Sequence, residues 1–134
     1  MLFYATSHTG VIYHAQRKTQ QLLQGHTNAI SAIATAQTPS LGERRYLFTA
    51  DAGPQNALLI IWDAKTATPV RTIFFDKGQG IVSLAVSDDE KRVAVIVTAL
   101  KETHVAEQKL HVYEWTDLHR APMVVAAKAP DYQV

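Results

Sequence analysis

The chain has 134 residues, room for one ordinary globular domain. Its 13 Lys and Arg nearly cancel its 12 Asp and Glu, and a net charge of +1 argues against a polyanion-binding basic protein or a charge-driven disordered tail. At 47% hydrophobic it can bury a core, no apolar run reaches the ~18 residues of a membrane span, and the lack of Cys excludes disulfides, thiolate metal sites and cysteine nucleophiles.

Met1 to Ala5 is apolar, but no basic segment precedes it and His8 and Thr9 follow at once. It reads as the start of a strand rather than a secretory signal. From there on, short segments rich in Val, Ile, Thr and aromatics recur between Gly, Pro, Asn and Asp. They predict strands at 2–6, 10–14, 20–24, 28–36, 45–50, 57–62, 69–75, 80–87, 91–98, 109–115 and 122–127. Helical periodicity is scarce, and Asp88-Asp89-Glu90-Lys91-Arg92 reads as a charged hairpin turn. The expected class is all-β.

The strands also repeat. Val11-Ile12-Tyr13-His14, Ile60-Ile61-Trp62-Asp63 and Val112-Tyr113-Glu114-Trp115 share a pattern, with Tyr13, Trp62 and Trp115 spaced 49 and 53 residues apart. An extended segment begins seven residues after each anchor, at Gln20, Pro69 and Pro122. Gly25 to Ile30 and Asp76 to Ile81 then align, and each leads into a small apolar strand. A shared offset across three units marks a repeat array.

Gly25-His26, 35 intervening residues and Trp62-Asp63 resemble the Gly-His and Trp-Asp signature of WD-repeat β-propellers. The resemblance covers essentially the whole chain and implies a partial propeller. Residues 1–26 would be the last three strands of one blade, 27–75 a complete four-stranded blade, and 76–134 a second, degenerate blade with a longer loop near 99–108. It also implies a structural network of His26, Thr49 and Trp62, closed by the Trp-Asp residue Asp63 and a turn carboxylate or amide. For that last place Asp51 stands early, and Gln55-Asn56 sits nearer the family's position. The flanking units depart from the pattern: Tyr13-His14 and Trp115-Thr116 replace Trp-Asp, and Lys77-Gly78-Gln79 replaces Gly-His. Those units would depend on apolar packing instead.

A narrower resemblance rests on Leu22 to Ser31, on Thr49-Ala50-Asp51-Ala52-Gly53-Pro54 ahead of Ile60-Ile61-Trp62-Asp63, and on Thr68 to Phe74 followed by Gly80-Ile81-Val82-Ser83. Together these resemble the cilia- and flagella-associated protein 251 family, WD-repeat subunits of the calmodulin- and spoke-associated complex. That likeness implies a structural role at the base of radial spokes, in the axoneme of motile cilia and flagella. The implied partners are axonemal proteins, including radial-spoke and calmodulin-associated subunits. The alternative is a general cytoplasmic WD-repeat adaptor in signalling or ubiquitin-ligase substrate recruitment.

No catalytic set emerges beside it. The six His residues show no metal-ligand spacing, and Asp88-Asp89-Glu90 lacks the alternate ligands of a calcium loop. Ser31 and Ser83 lie outside any nucleophile elbow, and Gly78-Gln79-Gly80 lacks the rest of a phosphate loop. The basic pairs Arg17-Lys18 and Arg44-Arg45 lack interleaved aromatics for nucleic-acid binding. The expectation is a non-catalytic scaffold in the cytoplasm or cytoskeleton, without cofactor, metal, nucleic acid or membrane. Rigid scaffolds display function on loops. The candidate partner-contact residues are therefore Glu43 and Arg44 in one loop, and Lys101, Glu102 and His104 in another.

Overall fold

A computed structural model of the chain describes residues 2–35, 46–76, 79–87, 91–99, 108–116 and 122–127. Among them are eleven strands and no helix. The strands are β1 (Leu2–Thr6), β2 (Thr9–His14), β3 (Thr19–Gln24), β4 (Ile30–Thr35), β5 (Tyr46–Asp51), β6 (Leu58–Asp63), β7 (Thr68–Phe74), β8 (Gln79–Val86), β9 (Arg92–Ala99), β10 (Gln108–Glu114) and β11 (Met123–Ala127). Every expected strand is present, displaced by at most two residues at an end.

Each strand pairs antiparallel with its neighbours in sequence, which gives three separate sheets: β1-β2-β3, β4-β5-β6-β7 and β8-β9-β10-β11. Tight turns make this order possible. Ser7 (φ 51°) opens the two-residue turn between β1 and β2 in a left-handed conformation. Lys18 (φ 52°) and Ala67 (φ 57°) close the four-residue turns after β2 and β6 in the same way. The acidic turn at 88–90 lies outside the described residues, but the Ser87 amide donates to the Arg92 carbonyl across its base at 2.9 Å.

The second sheet is covered on both faces, and its sequence says why. β5 (Tyr46-Leu47-Phe48-Thr49-Ala50-Asp51) and β6 (Leu58-Leu59-Ile60-Ile61-Trp62-Asp63) are nearly continuous apolar runs, the pattern of strands without a solvent face. Successive side chains point to opposite faces. Phe48, Ala50, Leu59 and Ile61 join Ile81, Val93, Val95, Val97 and Trp115 in a core shared with the third sheet. Leu47, Ile60 and Trp62 join Ile12 and Leu23 in a second core, shared with the first sheet. Trp115 meets the rings of Tyr46 and Phe48 edge-on, at 4.8 and 6.0 Å.

The opening strands of the sheets join them. The Ile30 amide at the start of β4 donates to the Ser7 carbonyl in the turn before β2, at 2.7 Å. β8 packs beside β4, where Ser31 Oγ donates to the Ile81 carbonyl. At the start of β8 an isolated antiparallel bridge links Gly80 to Ala52, just past β5. The ladders of β4 with β5 and of β8 with β9 are both interrupted near the start, at Ile30/Ala32 and Ile81/Ser83. The outer face of the first sheet is partly open: in the cross-strand row Tyr4, Val11, Leu22 the central Val11 is buried, whereas Tyr4 (39%) and Leu22 (48%) are exposed, as is Leu2 (58%) on the same face.

Candidate functional site

Among the described residues the buried polar side chains are His26, Asn28, Thr49 and Asp51, and they converge on the indole of Trp62. The pleat assembles them. Thr49 and Asp51, two apart on β5, share the face that looks toward the first sheet, and Leu47 pairs directly with Trp62 across β5 and β6. His26 and Asn28 come down on this face from the connection between β3 and β4.

Trp62 Nε1 donates to Thr49 Oγ1 at 2.8 Å. Thr49 Oγ1 lies 2.6 Å from His26 Nε2, and His26 Nδ1 lies 2.5 Å from Asp51 Oδ2. One assignment satisfies every atom. The indole N–H donates to the hydroxyl, the hydroxyl donates to Nε2, and the Nδ1 proton goes to the carboxylate, which can only accept. Asp51 Oδ1 takes two further donors, Asn28 Nδ2 at 3.0 Å and the Leu58 amide at 3.2 Å. Asn28 also bonds Gln55 twice, giving Nδ2 to its carbonyl at 3.0 Å and accepting its amide on Oδ1 at 3.1 Å. The cluster therefore ties the β3–β4 connection to β5, β6 and the turn after β5.

Two glycines let the chain come this close. A Cβ on Gly53 would stand 2.5 Å from Asn28 Oδ1, and one on Gly25 would stand 3.0 Å from Ile60 Cδ1 and 3.4 Å from Trp62 Cη2. No larger residue fits at Gly53 without displacing Asn28.

Carboxylate, imidazole and hydroxyl in this order could suggest an activated nucleophile. However, Thr49 and Asp51 are fully buried, and the Thr49 oxygen already accepts the indole proton. What the arrangement does is satisfy buried polar groups while locking three segments together.

The structure thus brings His26, Thr49 and Trp62 together, with corrections around them. The carboxylate in the cluster is Asp51, not a group at Gln55-Asn56, because β5 extends one residue further than expected and sets Asp51 on the face of Thr49. Asn56 instead donates to the Phe75 carbonyl at 3.1 Å. Asp63 stands apart: its Oδ1 accepts the amides of Lys65 (2.8 Å) and Thr66 (3.4 Å) and holds the turn after β6. Asn28 is a member that sequence reasoning missed, although its place two residues after His26 was a usable signal. Glu43, Arg44, Lys101, Glu102 and His104 lie outside the described residues.

The third sheet replaces the cluster with hydrocarbon. Val93 pairs with Tyr113 as Thr49 pairs with Ile60, so Val93 and Val95 hold the places of Thr49 and Asp51, and both are fully buried. Nearby, His111 Nδ1 lies 3.1 Å from the Tyr113 hydroxyl, and Phe75 packs against both rings. Burial and then the neighbouring Lys109 hold the His111 imidazole below its ordinary value. Burial pushes the Tyr113 phenol up to about 12, against the opposing pull of Arg71. Among the described residues no group of three or more His, Asp or Glu is placed to hold a metal ion.

No family model matches the chain. It is similar to cilia- and flagella-associated protein 251 of Mus musculus, at 38% identity over 118 residues, covering 87% of this chain and 8% of that protein. The protein of the same name in Tetrahymena thermophila is 40% identical over 116 residues (85% and 11%), and that in Chlamydomonas reinhardtii is 32% identical over 119 residues (89% and 14%). The chain spans about a tenth of the length of these curated relatives. It is homologous over most of its own length to a segment of cilia- and flagella-associated protein 251.

Proposed function

We propose that the chain is part of a WD-repeat β-propeller serving as a non-catalytic scaffold at the radial-spoke base of the ciliary or flagellar axoneme. The observation that carries this reading is the similarity, across three distant organisms, to proteins named for cilia and flagella. Two features of the fold support the propeller. Each sheet is a run of consecutive antiparallel strands, and the opening strands β4 and β8 lie side by side, as inner strands around an axis would. In these terms β1, β2 and β3 are the last three strands of a blade, and 27–75 and 76–134 are complete blades. The second support is the Trp62–Thr49–His26–Asp51 relay, which spends its buried polar groups on holding one blade together. Partners would be other axonemal proteins, held on the loops and edges of the blades.

The test is extraction. A tagged protein expressed in ciliated cells is expected to stay with detergent-extracted axonemes and to cross-link to radial-spoke components. Complete release into the soluble fraction would overturn the axonemal assignment and favour the general adaptor.

A further inference from the structure

We infer that the groove between the turn after β2 and the turn after β6 is a docking surface for an acidic peptide segment of a partner protein. The groove has a volume of about 790 Å³, and its polar lining comes from His14, Gln16, Arg17, Thr19, Gln21 and Lys65. That size is within the roughly 300–1,000 Å³ of ordinary ligand clefts, enough for a short stretch of chain and too small for a folded domain.

Its charge is one-sided. Arg17 and Lys65 are exposed, and among the described residues neither forms an ion pair. Among the described residues no carboxylate lines the groove. The first 42 residues contain no Asp or Glu at all, so the whole first sheet offers only cationic and neutral groups, in a chain whose net charge is +1. The nearest acid in sequence, Asp63, is turned onto the Lys65 and Thr66 amides at the base of its own turn. The groove lies between two turns of the same length, each closed by a left-handed residue, Lys18 and Ala67. Gln16, Gln21 and Thr19 add donors and acceptors for a peptide backbone.

An acidic peptide fits this set better than a nucleic acid. Strand binding by stacking favours broad aromatic platforms, and among the described residues no Phe, Tyr or Trp lines the groove, its one ring being the His14 imidazole. The inference names a partner class for the scaffold reading and rests on it.

The experiment measures fluorescence anisotropy of a labelled Glu-Gly repeat peptide with the full chain at low salt. Binding is expected to fall about tenfold for the Gln-Gly counterpart, and about tenfold for R17Q/K65Q, since two lost charge contacts amount to roughly one decade. K91Q, a charge loss away from the groove, should bind as the parent does. Circular dichroism of R17Q/K65Q checks that the fold survives. Equal binding of both peptides, an unchanged R17Q/K65Q, or tighter binding of a single-stranded oligonucleotide that R17Q/K65Q abolishes would overturn the proposal. Loss of peptide selectivity with axonemal retention intact removes the groove and leaves the scaffold. Release from axonemes removes the scaffold whatever the peptide does.

Discussion

Thr49 shows how much one small side chain can hold. Its hydroxyl takes the indole proton of Trp62 and gives its own to His26, so it is the hinge of a relay that ends on Asp51. Removing the donor end should cost twice over, in packing and in hydrogen bonding. Trp62→Ala is expected to destabilise the chain by about 3–5 kcal/mol, the usual cost of truncating a buried aromatic. Trp62→Phe keeps most of the ring but leaves the Thr49 oxygen without its donor, so about 1–3 kcal/mol is expected. Urea unfolding checks both. Equal stability of parent and Trp62→Ala would place the indole outside the core. The third sheet shows that the same places can be filled without polarity, by Val93 and Val95. Removing one member of the relay is therefore a different matter from replacing the set, because a single removal strands buried partners.

At the scale of elements, the strands were legible because the chain alternates short apolar runs with turn residues, and all eleven appear. His26, Thr49 and Trp62 were legible through the spacing of Gly-His and Trp-Asp. Asp51 was not, because ending β5 at residue 50 hid that 49 and 51 share a face. The counterparts Val93 and Val95 were also hidden. Thr49 stands 13 residues before Trp62 but Val93 stands 22 before Trp115, and only the register of β9 on β10 equates them. Another property visible only in the fold is the setting of His111 on β10, packed against Phe75 and Tyr113 at the join of second and third sheets. Burial and Lys109 hold its imidazole below the ordinary 6.5, so the fold prefers the neutral ring. As pH falls below 6.5, the unfolded chain takes up a proton that the folded chain refuses, and stability drops until the folded ring also titrates. Between about pH 7 and pH 5 the urea midpoint of the parent should fall more steeply than that of His111→Gln. Parallel profiles would show that His111 does not report on this join.

For the whole molecule, the ends of the array matter most. The first sheet leaves Leu2, Tyr4 and Leu22 exposed on its outer face, and among the described residues β1 pairs on one edge only, with β2. Unpaired edges and open apolar faces invite association. The 134-residue chain alone is expected to self-associate with rising concentration in sedimentation velocity. A monomer that melts cooperatively at all concentrations would count against the proposed ring, because such a chain would need no further blades. Inside the array, the two cores are distinct and have only the second sheet in common. That separation limits how far damage travels. A cavity opened at Leu23 loosens the junction of first and second sheets, while Val95 keeps every one of its neighbours in the other core. Substitutions would thus be tolerated or punished junction by junction, and sequence could drift at one end of the array while the other stays intact.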